Sequence, residues 1–283
     1  MSWSRFKFYC NEVGRLLDKG EEVIPAFEKA KKSVLSEEFG EELEVTKIQE
    51  SIFTSMKKNG YSKSQVRNAL RTYDALDISG LAENPNKVRR VGIYIGFLSL
   101  MYFIFSGIYL VYVIPGLESM FDSMGVPPPE NFTRFVDNWA LMLVFVMFLL
   151  LLALLVSKKL RDMFEFKNGV ENTFIFRFLL PKKMQIKYKK VRSLICLPLS
   201  VCRRVEDGVN DKLVEHYCSE DYRPEEVANS LAIIINENMR NLIFLAELFI
   251  QRIYVIIAVL IIYTIYEFLS SAYAPLFVMG EVI

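Results

Sequence analysis

Histidine is nearly absent from this chain of 283 residues, with His216 its sole copy. The short motifs that carry common chemistries are missing as well. There is no G-x-x-x-x-G-K-[ST] or G-x-G-x-x-G to cradle phosphates, no H-E-x-x-H to hold zinc, and no G-x-S-x-G to expose a nucleophile. These absences argue against an enzyme of the usual classes, and no catalytic or cofactor-binding residue is assigned. His216 has no partner at triad or metal spacing, so it reads as a structural or surface residue. Cysteine is scarce too. Cys196, Cys202, His216 and Cys218 form C-x5-C and H-x-C spacings that match no usual zinc pattern, and with Cys10 they read better as buried reduced thiols. The formal net charge is only +1, which points to no nucleic-acid partner. The first 19 residues mix charge with apolar residues and lack the continuous core of a secretory signal.

What the chain has in abundance is apolar sequence, at 52 % hydrophobic residues. Val91 to Ile114 is an uncharged run of 24 residues, longer than the roughly 20 that a helix needs to cross about 30 Å of hydrocarbon. Trp139 to Val156 is uncharged for 18 residues and opens on an interface-favouring Trp. Ile253 to Tyr273 is the third candidate span, with Glu267 as its one charge. Acids inside spans are functional candidates, yet Glu267 lies roughly 20 Å along a helix from Arg252, where a tilted helix lets it reach the far interface.

Direction follows from Lys and Arg, whose excess stays cytoplasmic. Lys87, Arg89 and Arg90 precede the first span. Lys158, Lys159 and Arg161 follow the second, and Arg252 precedes the third. The Pro115 to Asn138 segment carries Arg134 as its only basic residue against four acids, so it is expected outside as a periplasmic loop. The expected topology has the N-terminus in the cytoplasm and the tail, 274–283, in the periplasm.

The two expected cytoplasmic regions, Met1 to Arg90 and Ser157 to Arg252, read as helical domains. Phe6, Tyr9, Val13, Leu16 and Leu17 recur at helical spacing before Gly20. A second stripe runs through Ile24, Phe27 and Val34, and a third through Val45, Ile48, Ile52 and Met56, ended by Asn59-Gly60. Ser62-x-x-Gln65 forms a capping-box start for a helix carrying Val66, Leu70 and Tyr73. In the second region Gly169, Pro181 and Pro198 interrupt, Val205, Val209, Leu213 and Tyr217 fit a helix, and Pro224 opens a long helix running toward the third span. The basic runs Lys182-Lys183 and Lys187 to Lys190 suit a solvated face near a membrane or contact with anionic lipid. No stretch alternates like a strand. The fold class is all-α, a polytopic membrane protein with three transmembrane helices and two cytoplasmic helical-bundle domains.

At the exit from the first span, Tyr112-Val113-Ile114-Pro115-Gly116-Leu117-Glu118-Ser119-Met120-Phe121-Asp122-Ser123-Met124-Gly125-Val126-Pro127, with Thr133 beyond, resembles the segment V-[IL]-P-x-[FL]-x-x-M-F-x-x-[LM]-G-x-x-[LP]-P. That segment belongs to the inner-membrane platform proteins of type II secretion and type IV pilus assembly. Phe8 to Ala26 is similar to the family's F-x-x-x-L-x-x-L-L-x-x-G helix and turn, ending on Gly20. Asp77-Ile78-Ser79-Gly80 resembles its acidic-x-Ser-Gly motif, and Tyr273 to Phe277, with Pro275 and Phe277, its Y-x-P-[IL]-F ending. Ser157 to Glu247 lacks a clear second Leu-Leu-x-x-Gly turn, which suggests a divergent, type IVb-like member. The resemblance implies a non-enzymatic platform without cofactor in the bacterial inner membrane. Its expected partners are a hexameric cytoplasmic assembly ATPase, pilin or pseudopilin subunits, inner-membrane alignment proteins, the lipid bilayer and further copies of itself, a dimer among the options. The rival readings are a transporter or channel subunit, whose support is Glu267, and a membrane receptor or scaffold.

Overall fold

The computed structural model describes residues 3–33, 47–58, 60–77, 86–125, 127–203, 211–219 and 223–282. Those residues are helical almost throughout. They contain no strand, and a single bridge joins Lys47 to Lys167. The chain divides into two compact units, one comprising Met1–Pro85 and Arg161–Ala246 and the other Asn86–Leu160 and Glu247–Ile283.

The first unit begins with α1, Trp3–Asp18, which buries Phe6, Tyr9, Val13 and Leu17 at the spacing read from sequence. Gly20 stops it with a φ of 98°. Its N–H donates to the Leu17 carbonyl, and the Glu21 N–H reaches back to Leu16, so the Leu-Leu-x-x-Gly pattern is a Schellman stop. Helix α2, Val23–Lys31, buries Ala26, Phe27 and Ala30, whereas Ile24 is 56 % exposed. The expected stripe is corrected there: two small residues one turn apart carry this short helix against its neighbours.

Helix α3, Ile48–Lys58, supplies Ile48, Ile52, Phe53 and Met56. Helix α4, Lys63–Ala75, starts on the capping box, with the Ser62 hydroxyl accepting from Gln65 N–H and the Gln65 side chain accepting from Ser62 N–H. Val66, Leu70 and Tyr73 face the core. Phe6 stacks on Phe53 at 4.8 Å and meets Tyr73 edge-on at 5.4 Å. Val34, Val45, Asn59, Val205 and Val209 lie outside the described residues.

The second half of this unit packs on the first. Ile48 N–H donates to the Phe166 carbonyl at 3.1 Å, and the buried Tyr73 hydroxyl donates to the Ile195 carbonyl at 2.8 Å. Ile195 belongs to the 22-residue helix Lys182–Arg203. That helix continues through Pro198, contrary to the interruption expected there. Pro198 offers no N–H to the Leu194 carbonyl four residues back, which loosens the helix next to the carbonyl that Tyr73 engages. The regions Met1 to Arg90 and Ser157 to Arg252, separate domains in the sequence reading, thus contribute to one shared core.

The apolar unit begins with α5, Asn86–Ile108, followed by a π-helical turn, Tyr109–Val113, and α6, Ile114–Met124. Helix α7 runs from Glu130 to Phe164. Helix α8 is the Lys182–Arg203 helix, α9 is Asp211–Ser219, and α10 is a 59-residue helix, Pro224–Val282. Pro224 opens α10 as expected, with Glu225 and Glu226 in its first turn, and the backbone stays helical into the third apolar stretch.

Among the described residues, three helices are long and apolar enough to cross a membrane, within Arg90–Met124, Phe132–Phe164 and Pro224–Ser270. Ile95, Tyr102, Val146, Leu150, Ala153, Ile257 and Ile261 form their shared core. Much else is apolar and outward-facing, including Leu141 at 74 % and Ile262 at 66 % exposure. A surface of that kind suits hydrocarbon rather than water. A Cβ built on Gly92 would stand 2.6 Å from Ser157 Oγ, so α5 and α7 pack closely at this glycine.

Candidate functional site

Five of the family-like positions, Pro115, Met120, Phe121, Gly125 and Pro127, lie along α6 and just beyond its end. Pro115 is the second residue of α6, and a proline there would crowd the carbonyl of Val111 and leave it unpaired in a regular helix. The π-helical turn lies directly upstream, with Ile114 N–H reaching back five residues to the Tyr109 carbonyl. Such bulges widen a helix locally and recur at functional positions. Helix α6 ends at Gly125, whose φ of 64° only glycine adopts without strain, and Pro127 follows, exposed. Phe121 is buried against Phe132 at 5.5 Å, while Met120 is half-buried.

The Pro115 to Asn138 segment, expected as a loop, is therefore mostly helix. Among the described residues, Gly125 and 127–129 are what separate α6 from α7. Its polar residues are spaced along two amphipathic helix ends, a pattern that charge counting does not separate from a loop.

The π turn also forms one wall of an aromatic cluster that the motif reading did not name. Tyr109 lies edge-on to Phe268 at 4.1 Å, to Trp139 at 5.0 Å and to Phe135 at 5.8 Å. Beside it is a cavity of about 340 Å³, lined by Tyr102, Ser106, Tyr109, Trp139, Thr264 and Phe268 among others. Trp139, which opens the second apolar run, is 4 % exposed and packs among these rings. The signal was present in the sequence as aromatic residues near the ends of three separate spans, but only packing brings them together.

Glu267 stands outside that lining. It is half-buried, and the Tyr263 hydroxyl one turn earlier on α10 pairs with it. Asp77 follows α4, and its carbonyl accepts a long bond from Asn236 Nδ2 at 3.5 Å. Ser79 and Gly80 lie outside the described residues. Pro275 and Phe277 lie within helical backbone of α10, and their side chains are outside the described set.

The remaining chemical candidates are scattered. Cys10 is buried, and that burial, reinforced by the charge of Asp74, pushes its thiol well above the ordinary range. Cys196 is half-buried on α8, and the side chains of Cys202 and Cys218 are outside the described set. His216 is exposed on α9 beside the Tyr217 ring. Among the described residues no cluster of His, Cys, Asp and Glu has the geometry of a metal site. In the basic runs, Lys182, Lys183, Lys189 and Lys190 are exposed, Lys187 bonds Asn238 at 3.2 Å, and Tyr188 is buried between Phe166 and Phe176.

The helix stop missing from the second region is present in another form. At the end of α7, Phe166 N–H donates to the Met163 carbonyl and Lys167 N–H to Asp162, the same pair of bonds that Gly20 and Glu21 make. Phe166 occupies the glycine position with a φ of 51°. A glycine-based pattern cannot find it. No protein-family model matches the chain, and no curated protein or solved structure matches it.

Proposed function

We propose that this protein is a non-enzymatic platform of a filament-assembly machine, of the type IV pilus or type II secretion kind, set in a bacterial inner membrane with its N-terminus in the cytoplasm. In this reading the unit made of Met1–Pro85 and Arg161–Ala246 engages a hexameric assembly ATPase, and the spans help to lift pilin or pseudopilin subunits out of the bilayer, alongside alignment proteins and further copies of the chain. The observation that carries the proposal is the Tyr112 to Pro127 segment. Its resemblance to the platform family covers the residues that shape a π turn, a proline-started helix and a left-handed glycine stop. Helix α10 adds support, because one helix, Pro224–Val282, carries backbone of both chain regions.

The division of labour is physical. A chain with no phosphate-binding loop can transmit work done by another protein, but it has no visible means of generating it. The proposal is tested on the intact chain, because removing Ser2 to Leu81 would strip half of a shared core and expose the rest. Reconstituted in nanodiscs, the chain should hydrolyse no ATP alone and should raise hydrolysis by an assembly ATPase from its own organism. An unstimulated motor, or a gene neighbourhood without motor and prepilin genes, refutes the reading.

A further inference from the structure

Between Glu171 and Glu206 the chain carries nine Lys and Arg residues and no acid, although its formal net charge is only +1. The start of this stretch also exposes aromatic rings. A second π-helical turn, Ile175–Leu179, is anchored from within the first unit. Phe176 is buried edge-on to Tyr188 at 5.5 Å, Leu180 is buried, and Gln185 Nε2 donates to the Leu180 carbonyl at 2.8 Å and to the Arg177 carbonyl at 3.2 Å. That anchoring holds Phe174 and Phe178, one turn apart, facing outward. They are 68 % and 73 % exposed, with their rings stacked at 4.7 Å.

Helix α8 continues the patch. Lys182, Ile186, Lys189 and Lys190 recur at the spacing of one helix face, away from the buried Met184, Tyr188 and Val191, and Lys183 adjoins them. Ile186 is itself exposed. The four lysines are exposed too, and no carboxylate among the described residues pairs with any of them. Glu171, the acid just upstream, is held by Arg192 at 3.3 Å.

We infer that this face, the Phe174 and Phe178 rings with the lysines of α8, docks on the anionic headgroup surface of the bilayer that the chain's own apolar helices cross. Three observations select this occupant. The first is composition. Exposed rings beside cations, with no acid among them, match a segment that lies in a membrane interface, where apolar side chains enter the headgroup boundary and cations meet lipid phosphates. The second is the tether. The chain passes between its two units three times, at 85–86, 160–161 and 246–247. Phe174 also follows the end of α7 at Phe164 by ten residues, at most about 36 Å of extended chain. The bilayer is therefore a surface that the patch cannot diffuse away from, and a shallow insertion too weak to recruit a free protein suffices for a tethered one. The third is shape. Rings this exposed stand out from the fold, and a fluid interface accepts them without the matching pocket that a protein partner would have to supply. The inference needs only that the apolar helices cross a bilayer, and it stands apart from the platform reading.

The test places the photoreactive residue p-benzoylphenylalanine at position 178 of the full chain, in nanodiscs of phosphatidylcholine alone or with phosphatidylglycerol added. Irradiation should give lipid adducts, at least about fivefold more of them with phosphatidylglycerol present. Salt at about 1 M, which shortens the screening length to about 3 Å, should erase that gain. Lys182→Gln combined with Lys183→Gln, at about fivefold per cation, should lower the docking equilibrium read from the adducts about thirtyfold, and neither change touches a buried contact. The same probe at Ile24, which is 56 % exposed but has Glu21, Glu22 and Glu28 near it in sequence, should show no dependence on lipid charge. Adduct yields at position 178 that ignore phosphatidylglycerol, or an equal gain at Ile24, would overturn the inference. So would crosslinking in native membranes to a second polypeptide in place of lipid, which would assign the patch to an acidic protein partner.

Discussion

Phe166 offers a test in which the sign of an effect, and not only its size, follows from the structure. Its φ of 51° places a bulky residue in the left-handed region, which costs an L-residue about 1–2 kcal/mol relative to ordinary helical geometry. The position is held because its carbonyl accepts from Ile48 N–H and its ring, 1 % exposed, stacks on Tyr188 at 5.7 Å. Truncation to Ala or to Gly removes the same ring, at a cost of about 3–5 kcal/mol in either case. The two variants then differ only in backbone. At an ordinary site Gly is worse than Ala by roughly 0.5–1 kcal/mol, through the entropy of the unfolded chain. Here the strain relieved by Gly exceeds that cost, so Phe166→Gly should be the more stable by about 0.5–1 kcal/mol. Hydrogen exchange of the Lys167 and Ile48 amides in the intact chain should accordingly be about two- to fivefold slower in Phe166→Gly than in Phe166→Ala. Equal rates, or faster exchange in the Gly variant, would refute a strained stop at the end of α7.

Other expectations rest on separate contacts. Tyr73→Phe keeps the ring and deletes the hydroxyl bound to Ile195, so exchange along α8 should rise about fivefold, matching a loss near 1 kcal/mol; unchanged rates would deny that bond a role in joining the two chain segments. Gly92→Ile should destabilise the apolar unit by about 1–3 kcal/mol, because its side chain must displace Ser157, whereas Gly107→Ala meets open space and should leave thermal unfolding in nanodiscs unchanged or slightly improved. A thiol with a raised pKa holds less thiolate at neutral pH, so native Cys10 should alkylate at least about tenfold more slowly than Cys196 at pH 8 and speed up as pH rises. Unfolding in detergent should bring the two rates together, and equal native rates would contradict the burial of Cys10.

The parts of the fold legible in the sequence are those written in short-range patterns. Apolar period and charge placed the helices, Ser62 and Gln65 fixed the start of α4, Gly20 fixed the stop of α1, and three apolar stretches gave the helices long enough to span a bilayer. The physical reason is that caps, turns and amphipathic faces involve residues within about one or two helical turns of each other. Helix boundaries beyond the apolar runs were not legible, because backbone bonding continues past Ile114 and Tyr273 whatever the hydropathy does. Pro198 was misread for a related reason, since packing on both sides holds a helix together where local propensity would break it.

Tertiary structure alone decided the rest. Tyr73 meets Ile195 across 122 positions of chain, and Ile48 meets Phe166 across a similar gap, so two regions that look like separate bundles share one core. Phe166 takes a glycine's conformation only because distant partners hold its carbonyl and ring. Tyr109, Trp139 and Phe268 come from three different helices, and no local period encodes their meeting around a cavity. These features depend on which surfaces are buried against each other, and that is settled by the free energy of the whole packed arrangement rather than by any window of sequence.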